Sequence, residues 1–180
     1  MPLLALGLAL WVVPHLLKRL APDLRAQWGE RGKLPLTLAM VAGIALMVLG
    51  YRAAEGSFYW GRSPAMVGIN NLLMLLSIYL FAAAGMKTAV ARKLRHPMLL
   101  GVVLWSVAHL LVNGDTPSFL LFGGLGLWAL IQMALINRAE SWTPPAAKPA
   151  KFEAMALAGA LLVYGAIAGV HYALGYPAFG

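Results

Sequence analysis

The sequence predicts an all-α integral membrane protein, a bundle of about six transmembrane helices with both termini on the outer side. Three observations carry this reading. Mean hydropathy is +0.77, and 61% hydrophobic against 11% charged residues leaves no stretch polar enough for a separate soluble domain. Apolar runs close to the roughly 20 residues needed to cross a bilayer core recur six times. The basic residues fall on alternate sides of those runs, as they do when Lys and Arg are retained on the cytoplasmic face.

The first run, Pro2 to Leu17, lacks a basic leader and ends in Pro14-His15 rather than in small residues, so it reads as a retained span and not as a signal peptide. The others are Leu34 to Tyr51, Pro64 to Met86, Pro97 to Val112, Pro117 to Ile136 and Ala154 to Leu174. Four of the six open on proline, whose missing N–H costs nothing in a first helical turn. The first and fourth are short. Between them the loop from Lys18 to Lys33 carries five basic residues, that from Lys87 to His96 four and that from Asn137 to Glu153 three. The opposite side carries only Arg52 and Arg62. Residues 1–180 therefore read as one transmembrane domain in a multi-pass inner-membrane protein, with the basic loops inside.

Within the loops, Trp142-Thr143-Pro144-Pro145-Ala146-Ala147-Lys148-Pro149 cannot continue a helix and reads as an extended connector setting the last span apart. Gly165 and Gly169, four apart on that span, permit close helix contact. Asn113-Gly114-Asp115 closes the fourth span. Gly114 is expected there to take the positive φ of a helix end, and Asp115 to cap the helix starting near Pro117.

Composition excludes several chemistries. With no cysteine there is no disulfide, thiolate ligand or thiol nucleophile. The excess of basic residues marks topology; no basic stripe with interleaved aromatics points to nucleic acid. No buried carboxylate pair, Ser-His-Asp set or glycine-rich phosphate loop is present.

Four histidines remain: His15, His96, His109 and His171. Intramembrane imidazoles are functional hypotheses by default, because burying them without a partner is costly. A neutral imidazole in a bundle can coordinate haem iron through one nitrogen while the other is oriented by a hydrogen bond, or it can simply bond a neighbouring carbonyl. At 1.5 Å per residue His15 lies about 5 Å below the cytoplasmic boundary, His109 about 18 Å from the start of its span and His171 about 26 Å from the inner end of its own. His96, beside Arg95 and Pro97, reads as an interfacial residue at a helix start. His96 and His109 fall about 140° apart around one helix, which argues against a haem on each. Val102, Trp105 and Asn113 share the His109 meridian with Met98, and Asn70, Met74 and Ser77 form a stripe on the third span.

The wording of the chain resembles the NnrU family of bacterial membrane proteins. The resemblance rests on Val13-Pro14-His15-Leu16-Leu17, Gly50-Tyr51-Arg52, and above all Arg95-His96-Pro97-Met98-Leu99-Leu100-Gly101 through His109-Leu110-Leu111-Val112-Asn113-Gly114-Asp115. It continues in Leu121-Phe122-Gly123-Gly124 and His171-Tyr172-Ala173-Leu174-Gly175-Tyr176-Pro177. The resemblance implies an inner-membrane protein associated with denitrification, in nitrite and nitric oxide reduction. That family is similar to zeta-carotene isomerase, a haem b protein that turns a cis double bond to trans. Carried over by motif, this implies haem b held by His15 and His109, with His96, Asn113, Asp115 and His171 as further motif residues. Implied partners are the lipid bilayer, haem and a hydrophobic polyene; no protein partner follows. Three functions stay in competition: a haem protein of nitrogen-oxide metabolism, a carotene isomerase, and a non-catalytic assembly protein with structural histidines.

Overall fold

A computed structural model describes residues 1–179. The elements run α1 (Pro2–Leu20), α2 (Pro22–Trp28), a 3-10 turn (Gly29–Gly32), α3 (Lys33–Arg52), β1 (Phe58–Trp60), α4 (Pro64–Met86) and α5 (Ala89–Lys93). They continue as α6 (Pro97–Val112), β2 (Gly114–Asp115), α7 (Thr116–Ser118), a π-helical segment (Phe119–Gly123), α8 (Gly124–Ala139) and α9 (Lys151–Ala173). From α7 to α8 the chain is one continuous helical rod, Thr116–Ala139. Five helices are long and apolar enough to cross a bilayer, and α6 is a shorter apolar sixth. Their outward faces are aliphatic, with Leu162 75%, Leu72 68% and Leu34 66% exposed, a surface that suits lipid and not water. The chain is an all-α, multi-pass membrane bundle.

α1 and α3 lie against each other backbone to backbone. Gly7 makes this possible: a Cβ there would stand 2.6 Å from the Met47 amide nitrogen and 2.8 Å from the Gly43 carbonyl oxygen. Small residues at such a crossing let dispersion contacts, the main source of helix association in lipid, form along the whole seam. Beside it, Leu4 and Met47 pack with Leu125, Trp128 and Ala129 of α8 to make the buried core. On the other side α4 packs on α6, where the Ser77 hydroxyl donates to the Gly101 carbonyl at 2.8 Å. α9 rests chiefly on α4.

One end of the bundle is tied by charge. Arg19 Nη1 meets Glu140 Oε1 at 2.7 Å, joining the end of α1 to the end of α8. Arg95 Nη2 donates to the Glu140 carbonyl at 2.6 Å, satisfying an oxygen that the helix end leaves unpaired. At the opposite end a two-stranded antiparallel ribbon pairs Phe58 with Asp115 and Trp60 with Gly114. The Trp60 indole N–H donates to the Leu110 carbonyl at 2.9 Å and so pins the last turn of α6.

Several local expectations are corrected. The loop from Lys18 to Lys33 is largely helical, because Pro22 opens a fresh short helix directly after α1. Gly114 does not take a positive φ; among the described residues only Gly29, Gly175 and Lys87 do. Its hydrogen is required instead because the Trp60 indole lies directly over it, where any Cβ would collide. A Cβ at Gly165 or Gly169 would meet nothing within 4 Å, so this pair makes no close helix contact among the described residues.

Candidate functional site

α6 starts at His96, which occupies the N-cap position ahead of Pro97, and runs until Asn113. The 3.6-residue period aligns Val102, Trp105, His109 and Asn113 along one wall, while Met98 points outward at 53% exposed. α4 contributes Asn70, Met74 and Ser77 from a second wall, and α9 contributes Tyr164 and His171 from a third. Together they line a half-open cavity of about 940 Å³. That is near the upper end of the range of cofactor and ligand pockets.

His109 is the best-defined side chain in it. Its Nδ1 lies 2.9 Å from the Trp105 carbonyl oxygen. A carbonyl only accepts, so Nδ1 carries the hydrogen and the neutral ring keeps its lone pair on Nε2. The ring stacks on Phe122 at 4.5 Å and 25°, and Trp105 meets it at 4.9 Å. Phe122 reaches this position from the π-helical segment, whose wider turn shifts side chains off the ordinary helical register, a feature often found at functional sites.

The same arrangement recurs twice. His15 Nδ1 lies 2.7 Å from the Trp11 carbonyl, and His171 Nδ1 lies 2.9 Å from that of Ile167. All three imidazoles thus place Nδ1–H on the carbonyl one turn back, which in a neutral ring leaves Nε2 as the acceptor that a metal needs. His96 is wired the opposite way: its Nε2–H donates to Asn137 Oδ1 at 2.8 Å, bracing α6 against the end of α8.

His109 and His171 line one cavity. His15 does not line it. It clusters with the rings of Trp11 (4.3 Å) and Trp128 (4.9 Å), which also meet each other at 5.6 Å. Those two tryptophans, with Trp105, border a smaller apolar cavity of about 190 Å³ that shares Val102 and Trp105 with the His109 cavity. Trp11 and Trp128 each bury an indole N–H without an acceptor.

Asn113 and Asp115 shape the ends of helices. Asn113 Nδ2 donates to the His109 carbonyl at 2.9 Å, and Asp115 Oδ1 accepts from the Ser118 backbone N–H at 2.7 Å. The Tyr51 hydroxyl meets that of Ser118 at 2.8 Å, so the start of this rod also fixes a tyrosine at the cavity. Asn70 donates to Asn71 at 3.2 Å, and Asn71 donates to the Ala178 carbonyl at 3.1 Å, drawing the chain beyond α9 across the cavity rim.

Among the described residues no three His, Cys, Asp or Glu side chains gather to hold a bare metal ion. An iron bound here through one or two imidazoles would take its other ligands from a porphyrin, and the cavity's volume, aromatic walls and acceptor nitrogens fit that group. Sequence reasoning did not find Tyr164, and it named Tyr51 and Phe122 only within resemblance motifs, without placing them at a cavity. It registered Arg62, which also lines it, only as a topological charge, and Arg52 as such a charge and as part of the Gly50-Tyr51-Arg52 motif.

Comparison with curated proteins and with solved structures returns no match. A family model described as NnrU protein matches residues 3–178, a segment that includes all four histidines and every wall of the cavity. With nearly its whole length matched, the chain belongs to the NnrU family.

Proposed function

We propose that this NnrU-family membrane protein binds haem b in the cavity of α4, α6 and α9 and serves nitrite and nitric oxide reduction in the inner membrane, with its basic loops cytoplasmic and both termini outside. The observation that carries the reading is His109. It is held by Trp105 and Phe122, with Nδ1 committed to a carbonyl and Nε2 left as an acceptor beside a cavity of about 940 Å³. The family resemblance pairs His109 with His15, whereas the cavity pairs it with His171. His109 would help to hold the group in both pairings. A bound iron porphyrin would supply one-electron chemistry and affinity for nitrogen oxides. The chain's own part is to fix the imidazole plane and keep water from the apolar walls.

The test is an oxidised and reduced absorption spectrum of detergent-purified protein. Wild type should show the sharp α-band of six-coordinate haem b on reduction, and His109→Ala should lose it. Loss in His171→Ala with retention in His15→Ala selects the cavity pairing, and the reverse selects the other. A colourless protein that still supports nitrite and nitric oxide consumption in its host removes the haem reading. Cis-carotene incubated with reduced, loaded protein should remain unconverted, and formation of the trans product would replace the nitrogen-oxide reading.

A further inference from the structure

The cavity of α4, α6 and α9 is shut on most of its sides. At the ribbon end, Tyr176, Pro177 and Ala178 line it as a strap. Asn71 Nδ2 holds the Ala178 carbonyl at 3.1 Å, the Tyr176 N–H donates to the His171 carbonyl at 2.8 Å, and Phe179 meets the Tyr164 ring edge-on at 6.0 Å. Arg52 and Arg62 line the same end, and the segment that joins them also carries Glu55, so this end is polar as well as covered. The seam of α4 and α6 is tight. A Cβ on Gly101 would stand 2.8 Å from the Phe81 ring, beside the bond from the Ser77 hydroxyl. α9 makes its one extended contact with α4 and buries Ala156 and Ala160 completely.

The remaining side is different. α6 and α9 both line the cavity, yet among the described residues they make no extended contact with each other. Val163 and Ile167 of α9 line it while 49% and 37% exposed. They lie about 18 and 24 Å from the start of α9 at about 1.5 Å per residue, a depth of hydrocarbon and not of water. Behind them Met74, Ile78 and Phe81 present an apolar wall. An empty space there would forfeit dispersion contacts, and water would find few partners in it.

We propose that the cavity opens sideways into the bilayer between α6 and α9, and that a lipid acyl chain occupies it until another guest displaces it. The ligand class this mouth admits is a molecule dissolved in the membrane, in place of a solute arriving from water. The inference deepens the haem reading by giving the guest its route, and it rests on that reading only in treating the cavity as a binding site.

The test is photolabelling in nanodiscs. Full-length protein produced without haem supply is placed in bilayers with a trace of phosphatidylcholine bearing a diazirine on its acyl chain, irradiated, and its adducts located by mass spectrometry. Leu72 and Leu162, on outward faces, should label and so report ordinary lipid contact. Met74 and Ile78, on the cavity wall, should label as well. Val163→Trp/Ile167→Trp narrows the mouth and should lose most of the adducts at Met74 and Ile78 while keeping those at Leu72 and Leu162. Val163→Ala/Ile167→Ala widens it and should raise them. No adducts at Met74 and Ile78 in wild type, or adducts indifferent to both pairs, overturns the sideways mouth. Metal-free protoporphyrin IX added to the discs should displace the chain and remove these adducts. Adducts that persist against it leave the mouth standing and remove the porphyrin from this cavity, so the two readings fail separately.

Discussion

The His109 imidazole and the Phe122 ring lie face to face, 4.5 Å apart and inclined by only 25°. One residue comes from α6 and the other from the π-helical turn ahead of α8, so the stacking fixes the imidazole plane relative to a second helix. Phe122→Leu keeps apolar volume but loses this face. The substitution should destabilise the protein by about 1 kcal/mol. It should also weaken haem retention while leaving protein yield unchanged, read from the ratio of Soret to protein absorbance. Unchanged retention would show that Trp105 and the Nδ1 hydrogen bond suffice.

Gly7→Ala and Gly165→Ala should differ in sign. At Gly7 the added methyl meets backbone atoms of α3 at 2.6 and 2.8 Å, which cannot move aside as a side chain would. A loss of about 1–3 kcal/mol is expected, seen as a lower melting temperature in detergent. At Gly165 the space is open, and alanine should be neutral or raise stability by up to about 1 kcal/mol through helix propensity. Destabilisation at Gly165 would reveal a contact made by a second molecule.

Asp115→Ala removes the acceptor for the Ser118 N–H at the start of the α7–α8 rod. The expected cost is about 1 kcal/mol, with Asp115→Asn recovering most of it. Thermal unfolding of the three proteins side by side checks this; equal melting temperatures would remove capping as its role.

The Arg19 guanidinium, by hydrogen bond and by charge, holds the Glu140 carboxyl below its ordinary value of 4.5. A carboxyl whose folded value is lowered stabilises the fold fully above the unfolded value, and that share is lost as pH falls through the folded one. Stability should therefore decline below about pH 4.5 by a component absent from Glu140→Gln, as a pH series of melting temperatures would show. The carboxyl is exposed, so added salt should shrink the component.

Spans anchored by strong punctuation were legible from residues alone. Pro64–Met86 and Pro97–Val112 coincide with the expected boundaries because proline fixes each start. Lys18 to Lys33 was read as a loop because its charge density masks a short helix. His109 and His171, each expected far from the start of its own span, line one cavity. Depth along a helix can be read from the chain, but the direction each helix faces cannot. Whether His171 turned toward α6 depended on how α9 packs on α4, and the position of Phe122 depended on a π-turn that no residue pattern announces. Gly114 shows the same limit. Its need for a bare Cα comes from Trp60, which lies far away in sequence.

The connector before α9 carries no helix or strand, and α9 itself leans mainly on a single neighbour. The wall bearing His171 is therefore the most weakly fastened plank of the enclosure, and heat should loosen it before the seam of α1 and α3 gives way. Escape of a guest from between these walls and collapse of the barrel of rods are then two events rather than one.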